Sequence, residues 1–286
     1  MKKHKPTSPG RRGMTVIEYK KKLSSTSSNP HKALVKGRRS TGGRNSQGRT
    51  TVWYRGNGNK RKYREIDFRF NKQGIPARIE TIEYDPYRTG FIALALYADG
   101  ERRYILVPQR MQVGDSFVVS EDARPTLGNR LPLAKIPVGT FVYAVELKPG
   151  AGARIARSAG NYAEVVAQDA GYTQVRLPST EIRKIISTAW ASIGEVSNEE
   201  NRLVNIGKAG RARHMGLRPK TRGTAKNAVD HPHGGGEGVQ PRGHKRSRTA
   251  QGRPTGKGQK TRRPKKQSNK FIVKRRKLGP RMTSKK

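Results

Sequence analysis

The middle of the chain consists of short stretches in which apolar and polar residues alternate. Ile66, Phe68 and Phe70 alternate with polar residues, which is typical of a half-buried strand. Further strands are predicted at residues 75–84, 91–97, 103–107 and 117–119. Asp99-Gly100 is a strong signal for a tight hairpin turn. Short strands joined by tight turns predict a small closed antiparallel barrel of the oligonucleotide-binding-like kind.

A second group of short strands follows after a connection that contains proline. These strands are predicted at residues 141–147, 163–168, 172–177, 181–186 and 191–196. Turns are indicated between them at Ala170-Gly171 and Pro178-Ser179, so the group again favours a small twisted β-barrel. We place the boundary between the two barrels near Leu127. The predicted fold class is mainly β, with two consecutive small β-barrels.

Charge separates this centre from two long basic ends. The chain holds 62 Lys and Arg against 20 Asp and Glu, a formal net charge of +42. Basic and acidic residues number 15 and 1 in residues 1–59, 21 and 17 in residues 60–206, and 26 and 2 in residues 207–286. The predicted organisation is a basic N-terminal extension (1–59), a first barrel (60–127), a second barrel (128–206) and a basic C-terminal extension (207–286). Such extensions repel themselves, so we expect them to be disordered in the free protein.

A polyanion is the partner that this charge indicates. Nucleic acid is the leading candidate, because Lys- and Arg-rich segments release counterions when they bind phosphate backbones. An anionic membrane is the weaker candidate, since neither extension has a sustained amphipathic apolar face. No apolar run approaches about 18–20 residues and the start lacks the apolar core of a secretory signal, so no membrane partner is expected. The absence of cysteine excludes disulfides, CxxC zinc sites and thiol nucleophiles, and a soluble intracellular protein is expected.

The most distinctive stretch is the loop 223–238, GTAKNAVDHPHGGGEG, in the C-terminal extension. Proline fixes its own φ and favours extended geometry before it, so His231-Pro232-His233 should be stiff. Three glycines follow at positions 234–236 and permit close backbone approach. Asp230 and Glu237 are the only carboxylates of the extension, and they flank the motif. A stiff polar wedge followed by bare backbone suits insertion into a crowded polar crevice.

Motifs for enzyme chemistry mostly fail on inspection. The sequence from Gly150 begins like a dinucleotide GxGxxG, but Ile155 stands where the last glycine belongs. Residues 252–257 are one residue short of a P-loop. All six histidines, at positions 4, 31, 214, 231, 233 and 244, lie in the extensions, so the folded centre has no imidazole base. RNA packing is favoured for the two loop histidines; half a metal site, or general-base chemistry with Asp230, are the alternatives.

Residues 227–238 resemble the signature of the bacterial type of large ribosomal subunit protein two. Further motifs of this family are spread over nearly the whole chain: 5–12 (KPTSPGRR), 60–64 (KRKYR), 79–88 (IETIEYDPYR), 131–133 (LPL), 136–139 (IPVG), 156–160 (ARSAG) and 270–273 (KFIV). The resemblance implies an oligonucleotide-binding-like barrel followed by an SH3-like barrel, both docked on large-subunit rRNA, with the extensions threaded into it.

The resemblance also implies where such a protein works. It implies a place close to the peptidyl-transferase region, a role in subunit association, tRNA binding and assembly, and neighbouring ribosomal proteins. A bridge to small-subunit rRNA would accompany that role. The expected location is the cytoplasmic ribosome of a bacterium, with an organellar ribosome as the alternative.

Candidate RNA-binding residues follow from the family motifs and from the charge pattern. Arg88 and Arg157 match the family's contacts between body and RNA, and Arg154 is their neighbour. The other candidates lie at the entry to the first barrel and in the C-terminal extension: Lys60, Arg61, Lys62, Arg211, Arg213, Arg218, Arg222, Asn227, His231, His233, Gly234, Gly235, Gly236, Lys274, Arg275 and Arg276. No catalytic residue, cofactor or protein-only metal site is expected, although structural Mg²⁺ shared with rRNA could bridge to Asp230 and Glu237.

Some positions depart from the family pattern. Ala228 replaces the usual proline, Lys226 replaces an apolar residue, and His214-Met215 stand where a tryptophan is common. These departures leave the fine geometry of the loop open. Two other classes of function stay as alternatives: a peptidyl-transfer enzyme that uses His231 or His233, and a free nucleic-acid chaperone or packaging protein. A packaging protein would not need two barrels of nearly balanced charge.

Overall fold

The structure, a computed structural model, describes residues 1–24, 29–238, 240–256, 259 and 261–276. Residue 257, the end of the P-loop-like segment, lies outside the described residues, as does the C-terminal extension beyond Arg276. Within the described part of the chain, no helix has the length and the apolar content that crossing a membrane requires.

Short strands dominate the described residues. They are β1 Lys2–Lys3, β2 Thr15–Val16, β3 Val35–Gly37, β4 Lys62–Arg64, β5 Ala77–Glu83, β6 Ile92–Tyr97, β7 Arg102–Leu106, β8 Ser116–Phe117, β9 Arg130–Pro132, β10 Phe141–Tyr143, β11 Val145–Glu146, β12 Ala153–Ile155, β13 Ala163–Asp169, β14 Tyr172–Arg176, β15 Ile182–Ile186, β16 Trp190–Ile193 and β17 Ile272–Lys274. The α-helices are α1 Pro9–Arg12, α2 Tyr19–Lys22 and α3 Ala209–His214. Short 3-10 helices cover Lys32–Leu34, Leu133–Lys135, Glu199–Leu203, Gly223–Ala225 and Gln267–Phe271. The prediction of a mainly β chain is confirmed.

The first domain contains a four-stranded antiparallel sheet in the order β7-β6-β5-β8. The predicted hairpin is present: β6 pairs with β7, and Gly100 turns the chain at a φ of +83°. One face of β6 packs into the main core, while Ile92 and Leu94 on the other face form a small cluster with Tyr104. Burial on both faces explains why this strand is apolar throughout. A parallel bridge between Ile66 and Tyr104 extends the β7 edge.

The prediction of a strand from the alternation of Ile66, Phe68 and Phe70 is wrong after Ile66, which alone forms a β-bridge. Asp67 Oδ1 accepts hydrogen bonds from the backbone nitrogens of Arg69 (2.8 Å) and Phe70 (2.9 Å), and Phe70 has a φ of +54°. A carboxylate that bonds to the backbone two or three residues on closes a turn in place of a strand. The apolar side chain of Phe70 is buried nevertheless, which is why the pattern looks like that of a strand.

The second domain is a seven-stranded antiparallel sheet in the order β17-β15-β14-β13-β10-β16-β9. The predicted turn at Ala170-Gly171 joins β13 to β14 with φ values of +45° and +75°, as a two-residue hairpin requires. The predicted strand 141–147 is divided, because Ala144 has a φ of +49°. This break lets β10 pair with β13 and β16, whereas β11 pairs with β12.

One hydrophobic core spans the two domains, and the second domain has a further core of its own. Ile79 and Tyr97 of the first sheet belong to the same buried cluster as Tyr143, Ala156 and Val196. Each unit alone would be marginal in size, so this common core stabilises both. The predicted domain boundaries themselves stay a prediction.

A buried arginine crosses the junction between the domains. Arg130 is 1% exposed; its Nη2 lies 3.0 Å from Glu146 Oε1, and its Nη1 donates to the carbonyl oxygen of Ala144 at 2.9 Å. Its guanidinium carbon lies 4.4 Å from the centre of the Phe70 ring. Burial lowers the pKa of Arg130, and the neighbouring Glu146 charge opposes that shift. The arginine therefore links the turn of the first domain to the second sheet.

Both extensions also contact the folded centre. Ile17 of the N-terminal extension is buried in the shared core, and β3 pairs with β4. Near the other end, β17 adds an edge strand to β15. The apolar island of the C-terminal extension, residues 271–273, thus has a place in the second sheet. Disorder of the extensions in the free protein stays a prediction.

Candidate nucleic-acid interface

A cleft of about 800 Å³ brings together predicted RNA-binding residues from three parts of the chain. Lys60, Arg61 and Lys62 line it from the N-terminal side, Arg88 from the first domain and Arg211 from α3. No carboxylate belongs to the lining of this cleft, which we call the Arg211 cleft. A cationic wall without acids attracts polyanions such as a phosphate backbone.

Two arginines of the Arg211 cleft each have a side-chain nitrogen that makes no hydrogen bond with the described residues. Arg64 Nε and Arg211 Nη1 are buried, and neither has a hydrogen-bond partner among the described residues. Arg61, in contrast, donates to the carbonyl oxygen of Pro86 at 3.1 Å and lies over the Tyr87 ring at 4.4 Å. Buried donors are normally paired, so those of Arg64 and Arg211 indicate a site for an external acceptor. Arg64 was not among the candidate residues, although it belongs to the motif at residues 60–64.

A second cationic group lies at Phe68, between the two domains. The guanidinium carbons of Arg88 and Arg157 lie 5.4 Å and 4.7 Å from the centre of its ring. Partial burial against the protein lowers the pKa of Arg157, and the charges of Arg88 and Arg154 lower it further. The structure thus brings the three predicted body residues together, and their mutual repulsion favours a bound anion. We call this group the Phe68 cluster.

The two arginines of the Phe68 cluster differ in their other contacts. Arg88 Nε lies 2.5 Å from Oδ2 of Asp85, a carboxylate that is fully buried. Arg157 is exposed and donates only to the carbonyl oxygen of Ala153 (3.3 Å) within the described residues. Arg154 is exposed as well. Arg157 and Arg154 are therefore more open to a ligand than Arg88.

Two other predicted residues, Arg213 and Arg218, line a separate cleft beside Trp53 and Lys226. Backbone hydrogen bonds fix this region, because the nitrogen of Gly56 donates to the carbonyl oxygen of Gly216 at 2.8 Å. The two extensions therefore pair with each other. We call this cavity the Trp53 cleft.

The histidine loop is folded tightly by its own backbone. The nitrogen of Gly234 donates to the carbonyl oxygen of His231 at 2.8 Å, and the nitrogen of Gly235 donates to that of Lys226 at 3.0 Å. A Cβ at Gly234 would collide with the carbonyl oxygens of Lys226 and Asn227, so only glycine fits there. Gly223 likewise leaves room for the His231 ring.

Each loop histidine accepts a hydrogen bond from a backbone N–H. His231 Nδ1 accepts from the nitrogen of His233 at 3.0 Å, and His233 Nε2 accepts from the nitrogen of Arg248 at 3.0 Å. An imidazole nitrogen that accepts a hydrogen bond carries no proton, so both rings are neutral in this arrangement. The rings lie 4.8 Å apart, and His244 lies 5.9 Å from His233. Sequence reasoning missed His244 and Arg248, which no motif marks.

Burial and the nearby positive charges both lower the pKa of His233. Partial burial lowers its pKa, and the positive charges of Arg242 and Arg248 lower it further. Beside RNA phosphate, the opposite shift is expected, because an anion favours the imidazolium form. The cavity next to the loop, about 540 Å³, is lined in part by Arg222, Arg242 and Arg248.

Among the described residues, the flanking carboxylates have no cationic partner. Within the described residues Asp230 and Glu237 are exposed and form no salt bridge, and no group of three His, Asp or Glu residues could hold a metal ion. Magnesium bridging to RNA phosphate stays a prediction.

The last predicted residues lie on the second domain. Lys274 ends β17, and with Arg275 it lines a cavity of about 450 Å³ together with Arg176 and Arg202. Arg276 is exposed beside them in the chain. The candidates therefore form several cationic surfaces in place of a single pocket.

Comparison with protein families agrees with these surfaces. Residues 31–120 match the RNA-binding N-terminal domain of the ribosomal proteins L2, and residues 126–256 match the C-terminal domain of the same family. The two matches cover most of the chain, and the domains of this family have oligonucleotide-binding-like and SH3-like folds. The chain belongs to the ribosomal protein L2 family, and it is an RNA-binding structural protein of the large ribosomal subunit.

Proposed function

We propose that this protein binds rRNA directly near the peptidyl-transferase region and supports subunit association, tRNA binding and assembly. In this proposal, the two domains dock on the RNA surface while the extensions reach into it. The observation that carries it is the set of cationic clefts without carboxylates, together with buried arginine donors that lack protein partners. The position near the peptidyl-transferase region rests on the resemblance of residues 227–238 to the family signature.

The histidine loop acts as a structural wedge in this proposal. General-base catalysis requires an imidazole nitrogen with an available lone pair near the reacting proton. The unprotonated nitrogens of His231 and His233 accept backbone N–H groups, which supports a packing role. The remaining ring nitrogens carry hydrogen and suit donation to RNA. We therefore propose that the protein is not the catalyst of peptide transfer.

The partners of this proposal are large-subunit rRNA and neighbouring ribosomal proteins, with tRNA nearby and a bridge to small-subunit rRNA. The proposed setting is the cytoplasmic ribosome of a bacterium; an organellar ribosome is the alternative. A free packaging protein is disfavoured, since residues 60–206 are nearly balanced in charge and share one core. Sedimentation with large subunits after a salt wash would separate a resident component from a packaging protein.

The wedge is tested with His231→Gln and His233→Gln in reconstituted large subunits. We expect defective assembly or subunit joining, with peptide-bond formation near normal in the particles that do form. His214→Gln is the matched control, because His214 lies in the same extension but contacts Asn59 at 3.0 Å, away from the loop. Subunits that assemble fully with the variant loop yet lose nearly all peptide-bond formation would establish catalysis instead.

A further inference from the structure

Trp53 is held in a fixed and open position at the junction of the two extensions. The preceding segment folds back on itself: the nitrogens of Thr51 and Val52 both donate to the carbonyl oxygen of Gly43 at 3.0 Å. The following residue is tied to the C-terminal extension, because the carbonyl oxygen of Tyr54 accepts from the nitrogen of Arg218 at 3.0 Å. Trp53 nevertheless remains 44% exposed. A large aromatic side chain is thus presented to solvent by a backbone that is fixed on both sides.

The surroundings of Trp53 are cationic. The Trp53 cleft has a volume of about 740 Å³, and its charged lining consists of Arg44, Arg55, Arg213, Arg218 and Lys226. No carboxylate contributes to this lining. Lys226 Nζ lies 5.2 Å from the centre of the Trp53 ring. Five positive charges around one exposed indole create a surface that combines stacking with attraction of anions.

This combination has a specific ligand chemistry. Proteins that hold single-stranded nucleic acid use a positive groove for the backbone and aromatic rings on which bases stack. A cleft of this volume and charge is matched by one unpaired nucleotide with its flanking phosphates. A protein partner would have to bring several carboxylates and an apolar group to the same place. Charge complementarity within an rRNA-binding protein favours the nucleotide.

We propose that the Trp53 cleft binds an unpaired rRNA nucleotide, with its base stacked on Trp53 and its phosphates held by the surrounding arginines. The inference rests on the proposed rRNA-binding function and names a ligand for one part of it. Lys226 then has two contacts, one with the indole and one with phosphate. The alternative is that the contact between Lys226 and Trp53 only stabilises the packing of the two extensions. This alternative predicts no change in Trp53 fluorescence when nucleobases are added.

The two tryptophans of the chain make a direct test available. Trp190→Phe in the full-length chain leaves Trp53 as the only indole. Trp190 is half-buried in the second domain, and its hydrogen bonds with Arg130 and Glu146 use its backbone. The probes are a short oligoadenylate and an abasic oligomer of the same length, which carries the same phosphates without bases. We expect the oligoadenylate to quench Trp53 emission and the abasic oligomer to bind but leave the emission nearly unchanged.

Variants then separate stacking from charge. Trp53→Ala should weaken oligoadenylate binding at raised salt roughly tenfold and leave abasic binding unchanged, because stacking is lost and phosphate contacts are not. Arg218→Gln should raise the oligoadenylate concentration at which half of the Trp53 emission is quenched. It should also make the slope of log binding constant against log salt concentration shallower by about 1, because one phosphate contact is lost. Equal quenching by both oligomers, or binding of oligoadenylate without quenching, would overturn the stacking proposal.

Sedimentation of the protein with large subunits distinguishes failure of the stacking proposal from failure of the proposed ribosomal function. If base-dependent quenching is absent but the wild-type protein and Trp53→Ala both sediment with large subunits, the ribosomal role stands and the stacking site is refuted. If the wild-type protein does not sediment with large subunits, the proposed function fails whatever the fluorescence shows.

Discussion

Arg88 and Arg157 approach the same Phe68 ring, yet their side chains have different surroundings. Arg88 is ion-paired with a carboxylate that is fully buried, whereas Arg157 is exposed and has one weak contact with backbone. Removing one partner of a buried pair leaves the other charge without compensation. An exposed arginine can be removed without such a penalty. The same residue type in the same cluster therefore has two different roles.

This difference predicts distinct effects of alanine substitution. Arg157→Ala should weaken binding to an rRNA fragment with almost no change in melting temperature. Arg88→Ala should weaken binding and also destabilise the protein by about 1–3 kcal/mol, because the Asp85 carboxylate loses its partner. Arg124→Ala, which removes an exposed arginine outside the cationic surfaces described above, is the matched control for charge. Binding titrations and thermal melts of the same samples give both quantities; an Arg157→Ala protein that melts early but binds normally would contradict this assignment.

At the scale of single elements, the histidine loop shows how a short segment holds its shape without a hydrophobic core. Backbone groups and imidazole nitrogens satisfy one another, and Gly234 provides the close approach that closes the turn. The geometry depends on a neutral His233, since only an unprotonated Nε2 accepts from the nitrogen of Arg248. The folded loop is therefore sensitive to pH.

The sign of this sensitivity follows from the lowered pKa of His233. The unfolded chain binds a proton more tightly than the folded loop does, so the loop is fully stable above the ordinary histidine pKa of about 6.5 and loses stability as pH falls below it. Hydrogen exchange of the Arg248 amide, corrected for its intrinsic rate, should accelerate over this range. The Arg253 amide, bonded to Thr249 Oγ1 at 3.2 Å, should not. Unchanged protection of Arg248 in acid would show that the loop does not depend on this bond.

At the scale of the whole molecule, the two domains are joined by one hydrophobic core that spans both and by the contact of Arg130 with Phe70. Arg130 belongs to the second sheet by strand pairing and to the first domain by its contact with Phe70. Its partner Glu146 also accepts from the backbone nitrogen of Gly150 at 3.1 Å. Rigid coupling of the domains would keep the Phe68 cluster, which draws residues from both, in one geometry.

The strength of the buried Arg130–Glu146 pair beside this junction can be measured with a double-mutant cycle in denaturant unfolding. Arg130→Met should lower the free energy of unfolding by about 3–5 kcal/mol, because it leaves the Glu146 carboxylate buried and alone. The double variant Arg130→Met with Glu146→Leu should lose less than the sum of the single losses. Asp122→Asn breaks the exposed pair with Lys135 (2.8 Å) and should change little. Strictly additive losses would mean that the two buried groups do not stabilise each other.

The sequence alone determined the features that depend on local pattern. Alternation and turn residues such as Asp99-Gly100 predicted the hairpin of the first domain, and the strands of the second sheet appear close to their predicted positions. Charge alone indicated a polyanionic partner, and the motif at residues 227–238 pointed to the family. These conclusions need no tertiary contact, because side-chain period, turn geometry and net charge are local or additive properties.

Tertiary structure alone decided the features that depend on distant residues. The break at Ala144 and the burial of Arg130 follow from partners far along the chain or from backbone conformations that residue type does not specify. The same holds for the functional surfaces: Arg211 reaches the cleft of Lys60, and Trp53 meets Lys226, only because the two extensions pair. A charge count records how many cations a chain has. Where they converge, and which of them lack a protein partner, is set by the packing that brings remote segments together.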